Sequence, residues 1–599
     1  MPATSQPPTF QPDHMAGYAL PKYAFRTPPE LAGGDSPLVP AIVVGAGLGG
    51  LTAALELGSR GVRTLLLDDD DTVGAQGLSS RGICHAKRSL EIYDRFGVAA
   101  RIRDKGVTWN EGDVFVRDER IYRFNLQPER DQKFPAFVNL QQFYVEQYLV
   151  EAVLETPAVD LRWKSRVTGV AQHAEHVALT VDTPQGRYTV RAQYVIGADG
   201  AHGALREQLG ARDAESALFD NIWCIADVKL AGTPGAVRRS YLDAPQNDGG
   251  AIWYHQMADG VWRTDWLITH YTNPDAEATP ERAQARLKKL LGPDTPFELV
   301  WVGPWRFRRR VLERMTHGRV FFLGDAAAQH SPFGARGGNR AVQDANNLGW
   351  KLALVLQGRA RPELLETYEL ERHFAARENV EIASRSAVFI APETDGQRRV
   401  RDAYVELARR HEWARPMVNV GRLSVASAYA FSPLNREGGG LESPLAQPGA
   451  AAPDGRCGEG FLVERLRGEF TVAYFGGEGP AVADAQVVQL PKKGHDALFS
   501  RYGVEDRATY VFRPDGHVLA RCAGIDGAFA RAAIEHVLAY RAPRELREAV
   551  SQQPAADRLF DTLSAHLDAL PPEHRGAALA PVMRRIEERE GNLEGIGGL

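Results

Sequence analysis

The chain has 599 residues, of which 71 are basic and 76 acidic, so its formal net charge is -5. Charged residues make up 25% and hydrophobic residues 44%, a composition typical of globular proteins that excludes collagen-like, disordered and membrane-embedded classes. The slightly acidic balance offers no basic surface for nucleic acid, and the length predicts roughly three to four domains.

Residues 1–38 form a Pro-rich N-terminal tail without the basic start and apolar core of a secretory signal. The cysteines show no CxxC spacing and no paired histidines, so the sequence predicts neither a disulfide framework nor a metal site. These cysteines are Cys84, Cys224, Cys457 and Cys522. We therefore expect a soluble, cytoplasmic protein that holds no metal ion.

The first structured segment reads as a strand, a glycine turn, a helix and a second strand that ends at Asp68. The turn is a GxGxxG motif at Gly45, Gly47 and Gly50, whose missing side chains let the backbone approach a pyrophosphate. Asp68 lies where a carboxylate can accept hydrogen bonds from ribose hydroxyls. Residues 36–55 are uncharged and long enough to span a bilayer, but the glycines interrupt the run, so we interpret it as a dinucleotide-binding βαβ unit.

Two later segments repeat the order of strand, polar turn and helix: residues 197–206 read GADGAHGALR, and residues 324–339 read GDAAAQHSPFGARGGN. Alternating apolar and aromatic residues between them predict antiparallel strands of a separate sheet. The predicted boundaries are 39–220 for the first part of the dinucleotide-binding domain, 221–314 for the inserted sheet, 315–430 for the second part with a helical segment, 431–456 for a linker, 457–545 for a small α/β domain and 546–599 for a helical C-terminal extension.

The three motifs, in this order and spacing, resemble those of the class A flavoprotein aromatic hydroxylases, of the phenol hydroxylase and 3-(3-hydroxyphenyl)propionate hydroxylase type. The resemblance covers residues 40–372. It implies an α/β fold with an FAD-binding, Rossmann-like domain of the glutathione reductase type and an inserted mixed or antiparallel β-sheet domain for the substrate. Residues 510–521 resemble the late hairpin of the C-terminal thioredoxin-like domain of phenol hydroxylase relatives. Because CxxC is missing, packing or dimer contact is expected of that domain rather than thiol exchange.

The resemblance also implies which residues bind FAD. Asp199 and Gly200 would lie where FAD and the nicotinamide meet, with Arg206 supporting the turn, and Asp325 would hydrogen-bond the ribityl chain. Backbone N–H groups at the start of the following helix would hold the flavin C2 carbonyl. The complete cofactor set is Gly45, Gly47, Gly50, Asp68, Arg81, Gln142 (or, equally well, Gln141), Asp199, Asp325, Gly337, Gly338 and Asn339.

Two positions depart from the family pattern. The first motif usually has Ser where this chain has Gly203. The second usually reads GDAAH where this chain has Ala328, with His330 two positions later. Neither change removes a group that flavin binding needs, but both are expected to alter the local shape of the loops.

In the resembling enzymes NAD(P)H reduces FAD, O2 forms a flavin C4a-hydroperoxide, and an electron-rich ring takes up one oxygen atom. A second GxGxxG, which would indicate a separate nicotinamide domain, is missing from the sequence. We therefore expect an FAD-dependent, NAD(P)H-using monooxygenase of aromatic compound degradation that hydroxylates a phenolic or similarly electron-rich ring. Its partners would be a small aromatic compound and O2, with no nucleic acid and no membrane, and a homodimer stays open.

Such a ring reacts most readily when a base removes its phenolic proton. The candidate groups lie on the predicted sheet or beside the flavin loop: Tyr254, His255, Arg263, Asp265, His270, His330 and the backbone carbonyl of Pro332. His255 is our first choice, and a hydrogen-bonded sheet residue is the competing interpretation for each of them. Trp253, Trp262 and Trp266 are expected either to line the pocket or to form core.

Two other functions remain as alternatives. A flavin-dependent halogenase shares the cofactor domain but has a WxWxIP segment, which WVGPW at residues 301–305 does not match. A non-catalytic binding protein that keeps the flavin-type fold, like Rab escort relatives, would lack an intact motif around Asp325. The substrate, the ring position and the choice between NADH and NADPH do not follow from the sequence.

Overall fold

The computed structural model describes residues 20–32, 37–74, 82–230, 238–268, 273–415, 425–542, 567–571 and 574. The tail up to residue 19 and most of the predicted C-terminal extension lie outside these ranges, as do Arg81 and His270. Among the residues described, no helix combines the length and the apolar character needed to cross a membrane.

The first sheet contains the predicted βαβ unit. Strand Leu38–Val44 runs parallel to Thr64–Leu67 on one side and to Gly186–Gly197 on the other, and Val320–Phe322 continues the parallel order. These strands are apolar because helices cover them. The remaining strands of the sheet are Val159–Arg162, Arg166–Gln172, Val177–Thr183 and Thr316–His317, and the helices packed on it are Leu48–Gly58, Gln142–Leu154 and Gly337–Leu356.

The second sheet is mostly antiparallel, as the alternating pattern predicts. Its strands follow the order Ala328–Gln329, Phe297–Leu312, Asp213–Leu230, Val261–Leu267, Ile252–Gln256, Arg238–Leu242, Glu111–Val116 and Glu119–Asn125. Among the described strand pairings of this second sheet, only the one between Arg238–Leu242 and Glu111–Val116 is parallel. The hairpin 111–125 falls inside the predicted first part of the dinucleotide-binding domain, and strand Asp213–Leu230 crosses the predicted boundary at 220, so the second sheet is not confined to the predicted range 221–314. Strands 111–116 and 238–242 are far apart in the chain, and no local sequence pattern indicates that they pair.

Smaller elements complete these two layers. A short sheet formed by Cys84–Ala86, Phe137–Asn139 and Val107–Trp109 lies beside the start of helix Gly337–Leu356. The other helices are Lys87–Asp94, Ala99–Lys105, Leu205–Gln208, Pro274–Glu277, Pro280–Leu291, Glu366–Ile390 and Asp395–Arg410. Single 3-10 turns occur at Pro29–Ala32, Pro245–Asn247, Ala258–Gly260, Gly324–Ala326, Pro362–Leu365, Glu412–Ala414 and Leu462–Arg465.

The C-terminal part forms its own sheet, with strands in the order Arg436–Glu437, Val518–Ala523, Ala508–Phe512, Phe470–Phe475 and Ala485–Leu490. Its other elements are helices Asp496–Arg501 and Gly527–Leu538 and the ribbon of Arg456–Cys457 with Gly460–Phe461. The predicted linker 431–456 is wrong in one respect: it supplies the edge strand and buries Leu434 and Ala446 completely. Its Pro and Gly content prevents a helix but does not prevent packing.

Candidate active site

Three loops leave the first sheet at the same edge. Val44, Gly197 and Phe322 are register partners in adjacent parallel strands, so the residues that follow them emerge side by side. Backbone hydrogen bonds join them: the N–H of Ala198 donates to the carbonyl of Val44 at 2.8 Å, and that of Leu323 to the carbonyl of Gly197 at 3.1 Å. The structure thus brings together the loops that carry Gly45, Asp199 and Asp325.

The glycine turn contains two kinds of glycine. A Cβ on Gly50 would lie 1.8 Å from the carbonyl oxygen of Gly45, and one on Gly45, whose φ is +102°, would lie 2.4 Å from the carbonyl oxygen of Ala198. The protein itself therefore requires these two glycines. Among the residues that the structure describes, a Cβ on Gly47 would meet only Glu146 Oε1, at 4.0 Å. Gly47 is the N-cap of helix Leu48–Gly58 and has no side-chain cap, so it leaves an open cradle of backbone N–H groups that fits a pyrophosphate.

Asp68 stabilises this turn through two hydrogen bonds. Its Oδ2 accepts the N–H of Ala46 at 2.5 Å, and its Oδ1 accepts the N–H of Asp70 at 2.9 Å. Burial raises the pKa of Asp68 to about 6. Each carboxylate oxygen can accept a second hydrogen bond, so the group also fits a ribose hydroxyl.

The second loop is organised by Asp199. Its Oδ2 accepts the N–H of Leu205 at 3.1 Å, whereas its Oδ1 is buried and meets no hydrogen-bond donor in the described chain. Burial raises the pKa of Asp199. A Cβ at position 203 would lie 2.0 Å from Asp199 Cγ, so this loop accommodates the carboxylate only because residue 203 is glycine. Arg206 donates to the carbonyl of Ala201 at 2.5 Å and supports the turn.

The third loop carries Asp325 on turn Gly324–Ala326 with its side chain exposed. The loop is held from beneath: the N–H of Gly324 donates to Asp344 Oδ2 at 3.0 Å, and Arg340 donates to the carbonyls of Gly324 at 2.8 Å and Ala328 at 2.6 Å. Its position is therefore set by buried groups, while its carboxylate remains open to a ligand.

Helix Gly337–Leu356 begins at the same edge. Its N-cap, Arg336, makes no capping hydrogen bond with its side chain. The backbone N–H groups of Gly337, Gly338 and Asn339 precede the first intrahelical bond, from the N–H of Arg340 to the carbonyl of Arg336 at 2.7 Å. These are the donors that helix geometry leaves without an intrahelical partner.

The side chain of Asn339 connects the start of the helix to neighbouring segments through four hydrogen bonds. Its Oδ1 accepts the N–H of Ala86 at 2.9 Å and the hydroxyl of Ser89 at 2.7 Å. Its Nδ2 donates to the carbonyls of Cys84 at 2.9 Å and Ala335 at 2.6 Å. A ligand at this helix start would therefore contact the backbone N–H of Asn339 rather than its amide.

Gln142 lies next to the glycine turn. It accepts the N–H of Gly82 at 2.9 Å and donates to Glu146 at 2.7 Å, and Glu146 in turn accepts the N–H of Gly74 at 2.8 Å. Both glycines flank the segment that contains Arg81, which itself lies outside the described residues. Gln141 donates instead to the carbonyl of Ala258 at 3.2 Å, towards the second sheet.

The substrate-side candidates divide between two faces of the second sheet because successive strand residues point in opposite directions. His255 pairs with Arg263 across two strands, and Trp253 pairs with Asp265, which places all four on one face. Tyr254 lies on the other face. Of the candidates on this sheet, Tyr254 is therefore separated from His255 and Asp265 by the thickness of the sheet.

On that other face Tyr254 stacks on Trp262 at 4.3 Å between ring centroids. Both rings, together with Trp266, belong to the apolar cluster that includes Ala283 and Leu287 of helix Pro280–Leu291. Of the three tryptophans singled out by the sequence, Trp262 and Trp266 are core, and Trp253 alone lies on the His255 face.

His255 is buried and neutral. Its Nδ1 contacts no hydrogen-bond partner within the described residues, and its Nε2 lies 3.9 Å from Asp265 Oδ2. Burial, followed by the charges of Arg238 and Arg263, holds the pKa of His255 well below its ordinary value. Burial also raises the pKa of Asp265 to about 6. A neutral imidazole beside a carboxylate can accept a proton from a ligand and share its charge.

The loop after Asp325 approaches this face. Phe333 packs against Trp223 and Trp253, with ring centroids 5.1 and 5.2 Å apart. His330 Nδ1 lies 2.9 Å from the carbonyl of Ser331, and its Nε2 is buried without a partner in the part of the chain described. Burial and nearby arginines lower the pKa of His330 to about 3. Pro332 is exposed between them.

The fold and the three converging loops define a dinucleotide-binding flavoprotein site, and comparison with known proteins agrees. The family model described as FAD binding domain matches residues 38–383, more than half of the chain. The protein belongs to this family of FAD-binding proteins, and the class expected from the sequence, the FAD-dependent aromatic hydroxylases, is confirmed.

Relatives and solved structures give the same result. Aklavinone 12-hydroxylase RdmE of Streptomyces purpurascens is 29% identical over 535 residues, which cover 81% of this chain and 95% of the relative. The 6-methylpretetramide 4-monooxygenase of Streptomyces rimosus is 32% identical over 350 residues, or 58% and 60% of the two chains. The structure of OxyS anhydrotetracycline hydroxylase from Streptomyces rimosus is 25% identical, with a TM-score of 0.63 over 84% of this chain and 100% of that one.

Proposed function

We propose that this protein is an NAD(P)H-using, FAD-dependent monooxygenase that hydroxylates a phenolic ring held against the His255 face of the second sheet. The observation that carries the proposal is the approach of the Asp325 loop, through Phe333, to the face on which His255 and Asp265 lie. Bound FAD would supply the chemistry of accepting a hydride and activating O2.

The chain's own residues would hold the cofactor along one edge. The open cradle at Gly47 accepts the pyrophosphate, and Asp68 accepts ribose hydroxyls. The exposed carboxylate of Asp325 accepts hydroxyls of the ribityl chain. The backbone N–H groups of Gly337 and Gly338 donate to the flavin ring, and the positive end of their helix favours negative charge there.

On the substrate side, His255 acts as the base. Its imidazole is neutral over the physiological pH range because burial and two arginines keep its pKa low. It takes the phenolic proton on a ring nitrogen, and the carboxylate of Asp265 at 3.9 Å offsets the two arginines that disfavour the resulting positive charge. The buried rings of Trp223, Trp253 and Phe333 exclude water from this side.

We also propose that the ring belongs to an aromatic polyketide. Aklavinone 12-hydroxylase is a relative whose match covers 95% of its own length and 81% of this chain. Another polyketide relative, 6-methylpretetramide 4-monooxygenase, matches 58% of this chain, about as much as the 59% of pentachlorophenol 4-monooxygenase of Sphingobium chlorophenolicum, so the support comes from the match to aklavinone 12-hydroxylase.

The C-terminal sheet supports the proposal of a thioredoxin-like domain. Strand Phe470–Phe475 pairs in parallel with Ala485–Leu490 and antiparallel with Ala508–Phe512, which pairs antiparallel with Val518–Ala523 before helix Gly527–Leu538. Burial raises the pKa of the thiols of Cys457 and Cys522. A packing role fits these inert thiols better than thiol exchange.

The test is NAD(P)H oxidation and product formation by the FAD-loaded protein with a panel of polycyclic and simple phenols. We expect one of them to stimulate oxidation and to appear as a hydroxylated product. His255→Ala should suppress product formation and leave FAD bound, whereas Tyr254→Phe, altered on the opposite face, should retain turnover. A yellow protein that consumes no NAD(P)H with any phenol contradicts the proposal.

A further inference from the structure

Arg238 lies on the His255 face, and the proposed mechanism assigns it no contact with the substrate. Arg239 pairs with Tyr254, so Arg238, one position earlier, is on the same face as His255 at the end of the paired segment. Since His255 pairs with Arg263, and Arg263 with Asp227, four side chains form a row over four strands. In this row, one arginine lies on each side of the neutral histidine.

The two arginines differ in their partners. Arg263 forms a bidentate ion pair with Asp227, with both N–O distances at 2.9 Å. Arg238 makes no hydrogen bond or ion pair with any described residue, and its Nε is buried. Its neighbours are the ring of Trp109, with the centroid 5.8 Å from Cζ, and the side chains of Cys84 and Asp265, which act on it electrostatically and not through a hydrogen bond.

A half-buried guanidinium without an anion is costly, because desolvation is not offset by a hydrogen-bonded partner. Arginine cannot escape this cost by losing its proton under ordinary conditions. Such a group is stabilised when a ligand brings the negative charge. The guanidinium fork is suited to one or two oxygens in a plane.

Arg238 is also close to the helix start that would hold the flavin ring. The carbonyl of Cys84, a neighbour of Arg238, accepts a hydrogen bond from Asn339 Nδ2 at 2.9 Å. The strand Cys84–Ala86 is thereby attached to helix Gly337–Leu356. A ligand oxygen between Arg238 and His255 would lie beside both this strand and the sheet face.

We propose that Arg238 binds an anionic oxygen of the substrate, which deepens and rests on the proposed function. In the simplest case the O–H bond of a phenol breaks, the proton moves to a ring nitrogen of His255, and the oxygen keeps the electron pair beside Arg238. No oxidation or reduction is involved in this step. The substrate class is an acidic phenol or an arene that carries a carboxylate, and the shared chemistry is the anionic oxygen.

The experiment uses oxidised, FAD-loaded protein and three probes: 4-nitrophenol, 4-nitroanisole and 3-nitrobenzoate. The absorbance of 4-nitrophenol reports its ionisation in the complex, and the flavin spectrum reports binding of all three. The variant is Arg238→Met, with Arg238→Lys to keep the charge without the fork. The matched control is Arg239→Met, since Arg239 lies next in the same strand and faces the opposite side.

We expect the wild type and Arg239→Met to lower the pKa of bound 4-nitrophenol. Arg238→Met should abolish that shift and weaken binding of the anion by about ten- to a hundredfold, as loss of a charged hydrogen bond predicts, while binding of 4-nitroanisole is unchanged. Arg238→Lys should retain part of the effect. A loss confined to 3-nitrobenzoate would support the anionic-oxygen subsite and identify a carboxylate as its source.

Two results overturn the proposal. One is an unchanged ionisation of 4-nitrophenol and unchanged binding of both anions in Arg238→Met. The other is an equal loss for 4-nitroanisole, which would mean that Arg238 only supports the structure. Because no turnover is measured, a protein that fails to hydroxylate any phenol still gives a clear answer about Arg238.

Discussion

Arg513 and Glu371 form a fully buried ion pair with two hydrogen bonds, 2.7 and 2.9 Å long, between the C-terminal sheet and helix Glu366–Ile390. Lys351 also donates to Glu371 at 2.8 Å, and Asp515 accepts from Arg513 at 2.5 Å. The four charges balance each other inside one contact. Nearby charges hold the pKa of Glu371 below its ordinary range despite its burial.

Replacing Glu371 by Gln should therefore be strongly destabilising. The substitution keeps the shape but leaves Arg513 and Lys351 buried with the single counter-charge of Asp515. Breaking a buried pair in this way costs about 3–5 kcal/mol. Urea unfolding of the apoprotein measures the loss.

A matched control is available in the same contact. Arg359 and Asp484 form an exposed pair 2.8 Å apart, also between the FAD-binding part and the C-terminal sheet. Asp484→Asn should cost less than about 1 kcal/mol because water screens the pair. Equal effects of the two substitutions would contradict the argument from burial.

Gly47→Ala should lower the affinity for FAD without lowering the stability of the apoprotein. The new methyl group would meet no atom of the described residues closer than Glu146 Oε1 at 4.0 Å, so the apoprotein should unfold at the same urea concentration as the wild type. The methyl group would occupy the pyrophosphate cradle, so the affinity for FAD should fall at least about tenfold, or ~1.4 kcal/mol. Titration of apoprotein with FAD, followed by flavin fluorescence, measures it.

Gly50→Ala provides the contrast. Its Cβ would lie 1.8 Å from the carbonyl oxygen of Gly45, so this variant should lose stability as well as FAD. If Gly47→Ala were destabilised to the same degree, the open cradle would not be a ligand site.

Asp265 should make the stability of the apoprotein depend on pH. Its pKa in the folded protein is raised from 3.8 to about 6 by burial, with Arg263, Asp227 and Arg238 as the charged neighbours. Because the carboxyl group of Asp265 binds its proton more tightly in the folded protein, it contributes fully to the free energy of unfolding below pH 4, near its pKa in the unfolded chain. This contribution is lost as the pH rises through about 6. The raised pKa corresponds to a loss on the order of 3 kcal/mol.

Urea unfolding at pH 4 and pH 7 tests this dependence. Asp265→Asn should remove that part of the difference between the two pH values, because an amide does not titrate. The same pH dependence in the variant and the wild type would exclude Asp265 as its source.

Asn339→Ala should loosen the helix start that faces the flavin. Four hydrogen bonds disappear, and the buried N–H of Ala86 and the half-buried carbonyl of Cys84 lose these partners. We expect a loss of about 2–4 kcal/mol in unfolding free energy together with faster FAD release. Ser89→Ala, which removes only one of the four bonds, is the matched control and should cost about 1 kcal/mol.

Local backbone requirements made part of the site predictable. Gly45 has φ +102° and Gly324 has φ +58°, values that favour glycine, so their spacing relative to apolar strands indicated the turns directly. The acidic residues after these turns follow from the same local pattern. The agreement between sequence and structure at this edge thus reflects chain geometry within about ten residues of each motif.

Long-range pairing was not predictable in the same way. Whether Tyr254 or His255 faces the flavin loop depends on strand register, which alternation alone leaves open. Arg238 resembles any charged residue of an alternating strand until the structure shows that no described residue is its hydrogen-bond or ion-pair partner. The ion pairs of Arg372 with Asp344 and of Arg513 with Glu371 join residues 28 and 142 positions apart, and no motif marks them.

The pair of Arg513 and Glu371 also limits how this protein can be recombined with its relatives. A chimera with its crossover within 431–456 would take residue 371 from one parent and residue 513 from the other. Unless both parents carry the same charges, the hybrid would bury an unmatched ion beside Arg372, whose partner Asp344 also holds the Gly324 turn. When the C-terminal sheet is exchanged between relatives, the residues at positions 351 and 371 therefore have to be exchanged with it.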